Sequence, residues 1–155
     1  MERDPVTAYV ALGANLGDAV ATVRQAMRDI GAISGVTVTR RSSLYRTGPI
    51  ESSGPDYINA VLEVSTVLTA PDLLAQLQQL EQGARRQRPY HNAPRTLDLD
   101  LLRYGGARID SAQLTLPHPR MGLRAFVLVP LAEVAPGLVS PQALQAVSDQ
   151  ACRAL

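Results

Sequence analysis

Two aspartates two residues apart, with an arginine just ahead of them, are the part of this sequence best suited to chemistry: Pro94-Arg95-Thr96-Leu97-Asp98-Leu99-Asp100-Leu101. From Thr96 onward polar and apolar residues alternate, which is the two-residue period of a half-buried strand. Asp98 and Asp100 therefore leave one face, and Leu97, Leu99 and Leu101 the other. Carboxylates at i and i+2 lie roughly 6–7 Å apart along a strand, so their oxygens can converge on a shared cation or cation pair. Left alone they would repel each other, and one would tend to take up a proton. Arg95 adds a planar cationic fork matched to phosphate. The local chemistry is that of a metal–phosphate site. The competing reading is the wet face of an ordinary amphipathic strand.

Two neighbouring segments favour the first reading. Arg85-Arg86-Gln87-Arg88-Pro89-Tyr90-His91-Asn92-Ala93-Pro94-Arg95 delivers four arginines beside the aspartate pair, in a polar loop of a length common in lids over charged substrates. Leu116-Pro117-His118-Pro119-Arg120-Met121-Gly122-Leu123-Arg124-Ala125-Phe126 joins one histidine and two arginines to the only phenylalanine of the chain. A flat heterocycle would stack on Phe126, with Tyr57 as an opposing plate. Gly13 to Gly17 lacks the Gly-x-Gly of a dinucleotide-binding turn and reads as a tight strand-to-helix connection. No Gly-x-Ser-x-Gly elbow supports a serine hydrolase.

These segments need a scaffold, and composition bounds it. The chain has 155 residues, one domain's worth, with 46% hydrophobic residues and a formal net charge of +1. No overall field recruits nucleic acid or membrane, and aromatics for base stacking are scarce. All fifteen basic residues are arginine, which excludes a P-loop lysine and a Schiff base. A single cysteine, Cys152, excludes an internal disulfide; it reads as a small packing residue in a C-terminal helical pattern. With no signal-peptide pattern and no apolar run of spanning length, the expected location is cytoplasmic.

The pattern predicts a strand over Val6 to Leu12, then a helix capped by Asp18 with the stripe Val20, Val23, Met27 and Ile30. A strand over Val36 to Arg46, an irregular loop from Thr47 to Asp56 and a strand over Tyr57 to Leu68 follow. Pro71 starts a second helix striped by Leu73, Leu77 and Leu80; residues 84–95 form the arginine loop, and Thr96 to Tyr104 a further strand. A short strand near Arg108 and helices from about Arg124 and after Pro141 complete the chain. The order β-α-β-β-α-β is that of an α+β, ferredoxin-like antiparallel sheet with helices on one face and extra helices at the C-terminus. That topology says little about activity.

The motifs as a set resemble 6-hydroxymethyl-7,8-dihydropterin pyrophosphokinase, a family of folate biosynthesis. The resemblance runs through Tyr9-Val-Ala-Leu-Gly-Ala-Asn-Leu-Gly17, Leu44-Tyr-Arg-Thr47, Pro55-Asp-Tyr-Ile-Asn-Ala60 and Arg86-x-Arg88. It continues through Pro94 to Leu101, Leu116-Pro-His-Pro-Arg-Met121 and Arg124-Ala-Phe-Val-Leu-Val-Pro-Leu131. It implies transfer of the terminal pyrophosphoryl group of ATP to the pterin hydroxymethyl group, with release of AMP. Asp98 and Asp100 would hold two Mg²⁺ ions, and Arg86 and Arg95 would act as catalytic arginines. Arg86, Arg88, His118 and Arg124 would bind ATP. Tyr57 and Phe126 would sandwich the pterin, while Asn59, Arg95 and the segment Thr47, Gly48, Pro49 and Ile50 would complete its site. The implied partners are these small molecules alone, bound by a monomer. Arg85, His91, Gly48 and Gly122-Leu123 depart from the family's usual residues, although none removes an implied ligand. Two other functions compete: a non-catalytic ferredoxin-like module binding an anion through its arginine loop, and an ATP-dependent kinase releasing ADP.

Overall fold

Alternation along β1 (Val6–Ala14) buries Ala8, Val10 and Leu12 on one face, while Ala11 joins a second buried cluster on the other. The computed structural model describes residues 3–15, 18–48, 56–86 and 97–155, with the side chains of Arg85 and Arg86 excepted. Helix α1 (Ala19–Gly31) starts where expected, because the Asp18 carboxylate accepts a hydrogen bond from the Ala21 amide at 3.0 Å. Its buried stripe is Val23, Ala26, Met27 and Ile30. Val20 packs only partly against the core.

The strand expected over Val36 to Arg46 is two strands, β2 (Val36–Arg41) and β3 (Tyr45–Thr47). Ser42 makes the break. Its hydroxyl accepts from the Val61 amide at 2.9 Å and donates to the Ser43 carbonyl at 2.7 Å, so a side chain replaces a rung of the backbone ladder. Both strands pair with β4 (Tyr57–Thr66), which also pairs antiparallel with β1 from Val6↔Thr66 to Ala14↔Ile58. Helix α2 (Ala70–Arg86) runs past the residue 84 expected to begin the loop, since Ala84-Arg85-Arg86 are good helix formers. β5 (Asp98–Tyr104) then pairs antiparallel with β1.

The sheet order is β5-β1-β4-β3, with β2 also beside β4, and every pairing is antiparallel. Taking β2 and β3 as one broken strand, this is the expected ferredoxin-like arrangement. Helices α1 and α2 cover one face over Leu12, Ile58, Leu62, Leu99 and Leu101. After a small hairpin, β6 (Ile109–Asp110) and β7 (Thr115–Leu116), helix α3 (Ala125–Val134) departs from the one-faced expectation. It covers the opposite face, where Val127, Leu128 and Leu131 pack with Ala11, Val61 and Leu102. Helix α4 (Pro141–Ala146) is capped by Ser140, whose hydroxyl accepts from the Ala143 amide at 3.0 Å.

Cys152 is not helical. It opens β8 (Cys152–Ala154), which adds to the sheet edge by pairing antiparallel with β3. Its half-buried sulfur packs with the α3 cluster, so the packing role holds although the element differs. Among the described residues no helix is long and apolar enough to cross a membrane.

Candidate active site

Register puts the chemically capable residues together. Asp98 lies across from Gly13, Gly13 across from Asn59, and Asn59 across from Tyr45. These four form one row on the α3 face, with Asp98 and Asn59 two strand spacings apart, roughly 10 Å. Asp100 stands in the next row opposite Ala11, and Tyr57 pairs with Thr47 at the far end of β4. The alternation read from residues 96–101 therefore has the expected outcome: Leu97, Leu99 and Leu101 enter the α1–α2 core.

His118 reaches the aspartates from the segment before α3. Its amide donates to the Leu102 carbonyl at 2.9 Å, which fixes the backbone beside β5. The Arg120 amide donates to His118 Nδ1 at 3.2 Å, so the neutral ring carries its proton on Nε2. That Nε2 lies 4.0 Å from Asp100 Oδ1. Partial desolvation, the largest influence, raises the Asp100 carboxyl above its ordinary range. His118 opposes it, Asp98 reinforces it and Arg124 opposes it again. The Asp100 side chain is 58% exposed, so its carboxylate is open to a ligand from outside. Among the described residues no group of three His, Cys, Asp or Glu could close a protein-only metal cage. Two neighbouring carboxylates fit Mg²⁺, which keeps waters and takes phosphate oxygens for its remaining positions.

The second half of the site lies between β3 and the start of α3. A cavity of about 250 Å³ is lined by Thr47, Gly48, Phe126 and the segment Asp149 to Ala151. Phe126 is half-buried, and the Arg124 guanidinium carbon lies 5.4 Å from its ring centre. Thr47 and Asn59 are buried, and the Asn59 amide donates to the Thr47 hydroxyl at 2.7 Å.

The structure thus brings together Asp98, Asp100, His118, Arg124, Thr47, Gly48, Tyr57, Asn59 and Phe126 at one end of the α3 face. Pro49, Ile50, Arg88, His91 and Arg95 lie outside the described residues, as does the side chain of Arg86.

Sequence reasoning missed three supporting residues. Gly13 is the first. A Cβ there would lie 2.9 Å from Asn59 Oδ1, so glycine alone leaves room for the amide. The sequence pattern ends the strand at Leu12, whereas β1 runs on through Gly13 and Ala14, which pair with Asn59 and Ile58. Gly13→Ala is expected to cost about 1–3 kcal/mol through overpacking, lowering the melting temperature by roughly 2–12 °C. An unchanged thermal denaturation midpoint would show that Asn59 moves freely.

Glu133 is the second. From α3 it accepts hydrogen bonds from the Ser43 amide at 2.9 Å and the Tyr45 hydroxyl at 2.6 Å, tying the helix to β3. Partial desolvation opposes its charge, but the hydrogen bonds from Tyr45 and Ser43 outweigh it and pull the carboxyl below its ordinary range. Gln150, the third, bridges from the C-terminal segment to the start of α3. Neither contact has a local sequence signal.

Comparison with known proteins places the chain in a family. Residues 9–136 match the family model described as 7,8-dihydro-6-hydroxymethylpterin-pyrophosphokinase. A 2-amino-4-hydroxy-6-hydroxymethyldihydropteridine pyrophosphokinase of Synechocystis sp. is 43% identical over 135 residues, covering 87% of this chain and 69% of that protein. The protein of the same name from Haemophilus influenzae is 42% identical over 137 residues, covering 88% and 86%. A crystal structure of Plasmodium falciparum HPPK-DHPS has the same fold, with a TM-score of 0.60 at 13% identity. It is matched over 85% of this chain and 41% of that one. With a family model spanning most of its length and relatives above 40% identity, the chain belongs to the 7,8-dihydro-6-hydroxymethylpterin-pyrophosphokinase family.

Proposed function

We propose that this chain transfers the terminal pyrophosphoryl group of ATP to the hydroxymethyl group of 6-hydroxymethyl-7,8-dihydropterin in folate biosynthesis. The hydroxymethyl oxygen bonds to the β-phosphorus, the bond from that phosphorus to the α–β bridging oxygen breaks, and AMP leaves. The hydroxyl proton passes to solvent. One observation carries the reading: a carboxylate pair and a Phe126-walled cavity share one end of one sheet face.

Asp98 and Asp100 would hold Mg²⁺, two ions in the reading the resemblance implies. Bound Mg²⁺ supplies neutralisation of phosphate charge and polarisation of the attacking hydroxyl. The chain's residues do the rest. Arg124 and the Nε2–H of His118 would bind the triphosphate, and Arg86, Arg88 and Arg95 would join them. Phe126 and Tyr57 would hold the pterin ring, with Asn59, Thr47, Gly48, Pro49 and Ile50 reading its edge. Buried amide and hydroxyl groups select strongly, because an analogue without matching atoms leaves them unpaired. No strong general base stands in the described site, so positioning and electrostatics carry most of the barrier reduction. One chain of a single domain, 1–155, builds both halves of the site, which supports a monomer; a cytoplasmic location belongs to the same reading.

The test is a product assay with ATP, Mg²⁺ and the dihydropterin. One AMP per pyrophosphorylated pterin is expected. ADP would instead indicate single phosphoryl transfer. Folded protein without pterin-dependent turnover would favour the anion-binding module, a reading that leaves the Asp98–Asp100 pair without a role.

A further inference from the structure

The residue at the N-cap of α3, Arg124, offers no side-chain cap to the helix it begins. The Ala125 amide, one of the groups a helix leaves without an internal partner, nevertheless has one. Gln150, twenty-five residues later, accepts from it through Oε1 at 2.9 Å. The same carboxamide donates through Nε2 to the Leu123 carbonyl at 3.1 Å. One side chain thus holds the peptides on both sides of Arg124, whose guanidinium lies over Phe126. A carboxamide can accept and donate at once, which both contacts use.

The segment that follows fastens to the opposite wall. Cys152 pairs with Thr47, Arg153 with Arg46 and Ala154 with Tyr45, and the Leu155 amide donates to the Leu44 carbonyl at 2.9 Å. Between these anchors, Gln150 and Ala151 line the cavity that Phe126 and Thr47 share. The family match ends at residue 136, so nothing in it assigns this segment a role.

We infer that Gln150 is a positioning residue of the pterin half of the site: through its clasp on residues 123–125 it sets Arg124 and Phe126 against the Thr47 wall, which β8 holds. This role rests on the proposed pterin-binding function. The wall is built from the last six residues and not only from the family's motifs.

The test measures 6-hydroxymethylpterin binding by fluorescence at 15 °C, below the melting transitions, for wild-type protein, Gln150→Leu, Gln150→Glu and the surface control Gln142→Ala. Gln150→Leu removes both hydrogen bonds and is expected to weaken binding about tenfold. Gln150→Glu keeps the acceptor for Ala125 but loses the donor to the Leu123 carbonyl, so it is expected to weaken binding about threefold, between wild type and Gln150→Leu. The control should match wild type. A residue that only stabilised the fold would lower the melting temperature and leave affinity unchanged at 15 °C. That result for Gln150→Leu overturns the role while the functional reading stands. If Gln150→Leu fails to fold, Gln150→Glu decides, and wild-type pterin affinity in that variant overturns the role. Wild-type protein that binds no pterin overturns the functional reading itself, and the role with it.

Discussion

Asp98→Asn and Asp100→Asn are each expected to lower AMP formation by at least about a hundredfold while the fold survives. Each change keeps the side-chain shape and removes the charge a hard cation needs. The loss should resemble or exceed that of deleting one well-placed electrostatic contact to a transition state, about 10²–10³ in kcat. Stability should hold because neither side chain belongs to a buried core cluster, and Asp100 is more than half exposed. Steady-state turnover with circular dichroism melting checks both halves of the expectation. Raised Mg²⁺ should restore part of the activity where affinity is the quantity lost. Unchanged turnover in both variants would remove the metal assignment.

Phe126→Ala is expected to weaken pterin binding by about 1–3 kcal/mol, or roughly 5- to 150-fold in Kd. Part of that loss is ring stacking and part is packing, because Phe126 also rests against the cluster under α3. The ring sits beside Thr47 and Gly48 in the cavity and beneath the Arg124 guanidinium. Phe126→Leu should therefore recover the packing share but not the stacking share. Titrations with the pterin and with an ATP analogue separate the two substrates. Pterin affinity that holds while ATP affinity falls would reassign Phe126 to supporting Arg124.

Much of this was legible because strand patterning is local. Leu97-Asp98-Leu99-Asp100-Leu101 states its own two faces, and the structure sorts them as the alternation requires. Asp18 announces a helix start by a contact three residues on, and Pro141 by standing at the first helical position. The misreadings have non-local causes. The break at Ser42 depends on Val61, a residue on another strand. Cys152 follows a helix-like pattern in sequence, yet the free edge of β3 recruits it into a strand. Helix α3 has too few polar residues to reveal which sheet face it covers, so its crossing to the second face was not readable. The supports at Glu133 and Gln150 join residues 25 to 90 positions apart, and no periodicity reports them.

Parity along β1, β4 and β5 divides labour between the two faces of the sheet. Leu12, Ile58 and Leu99 hold the molecule together, while their immediate neighbours Gly13, Asn59 and Asp98 face the chemistry. Point changes can therefore explore substrate preference on one face with little disturbance of the larger core. A single-codon deletion within β5 has no such freedom. It exchanges the faces of every residue on one side of the lesion, driving carboxylates into the core and leucines out of it. Evolutionary change in these strands is thus more open to substitution than to changes of length, which the connections between them, or a bulge such as the one at Leu102, must absorb.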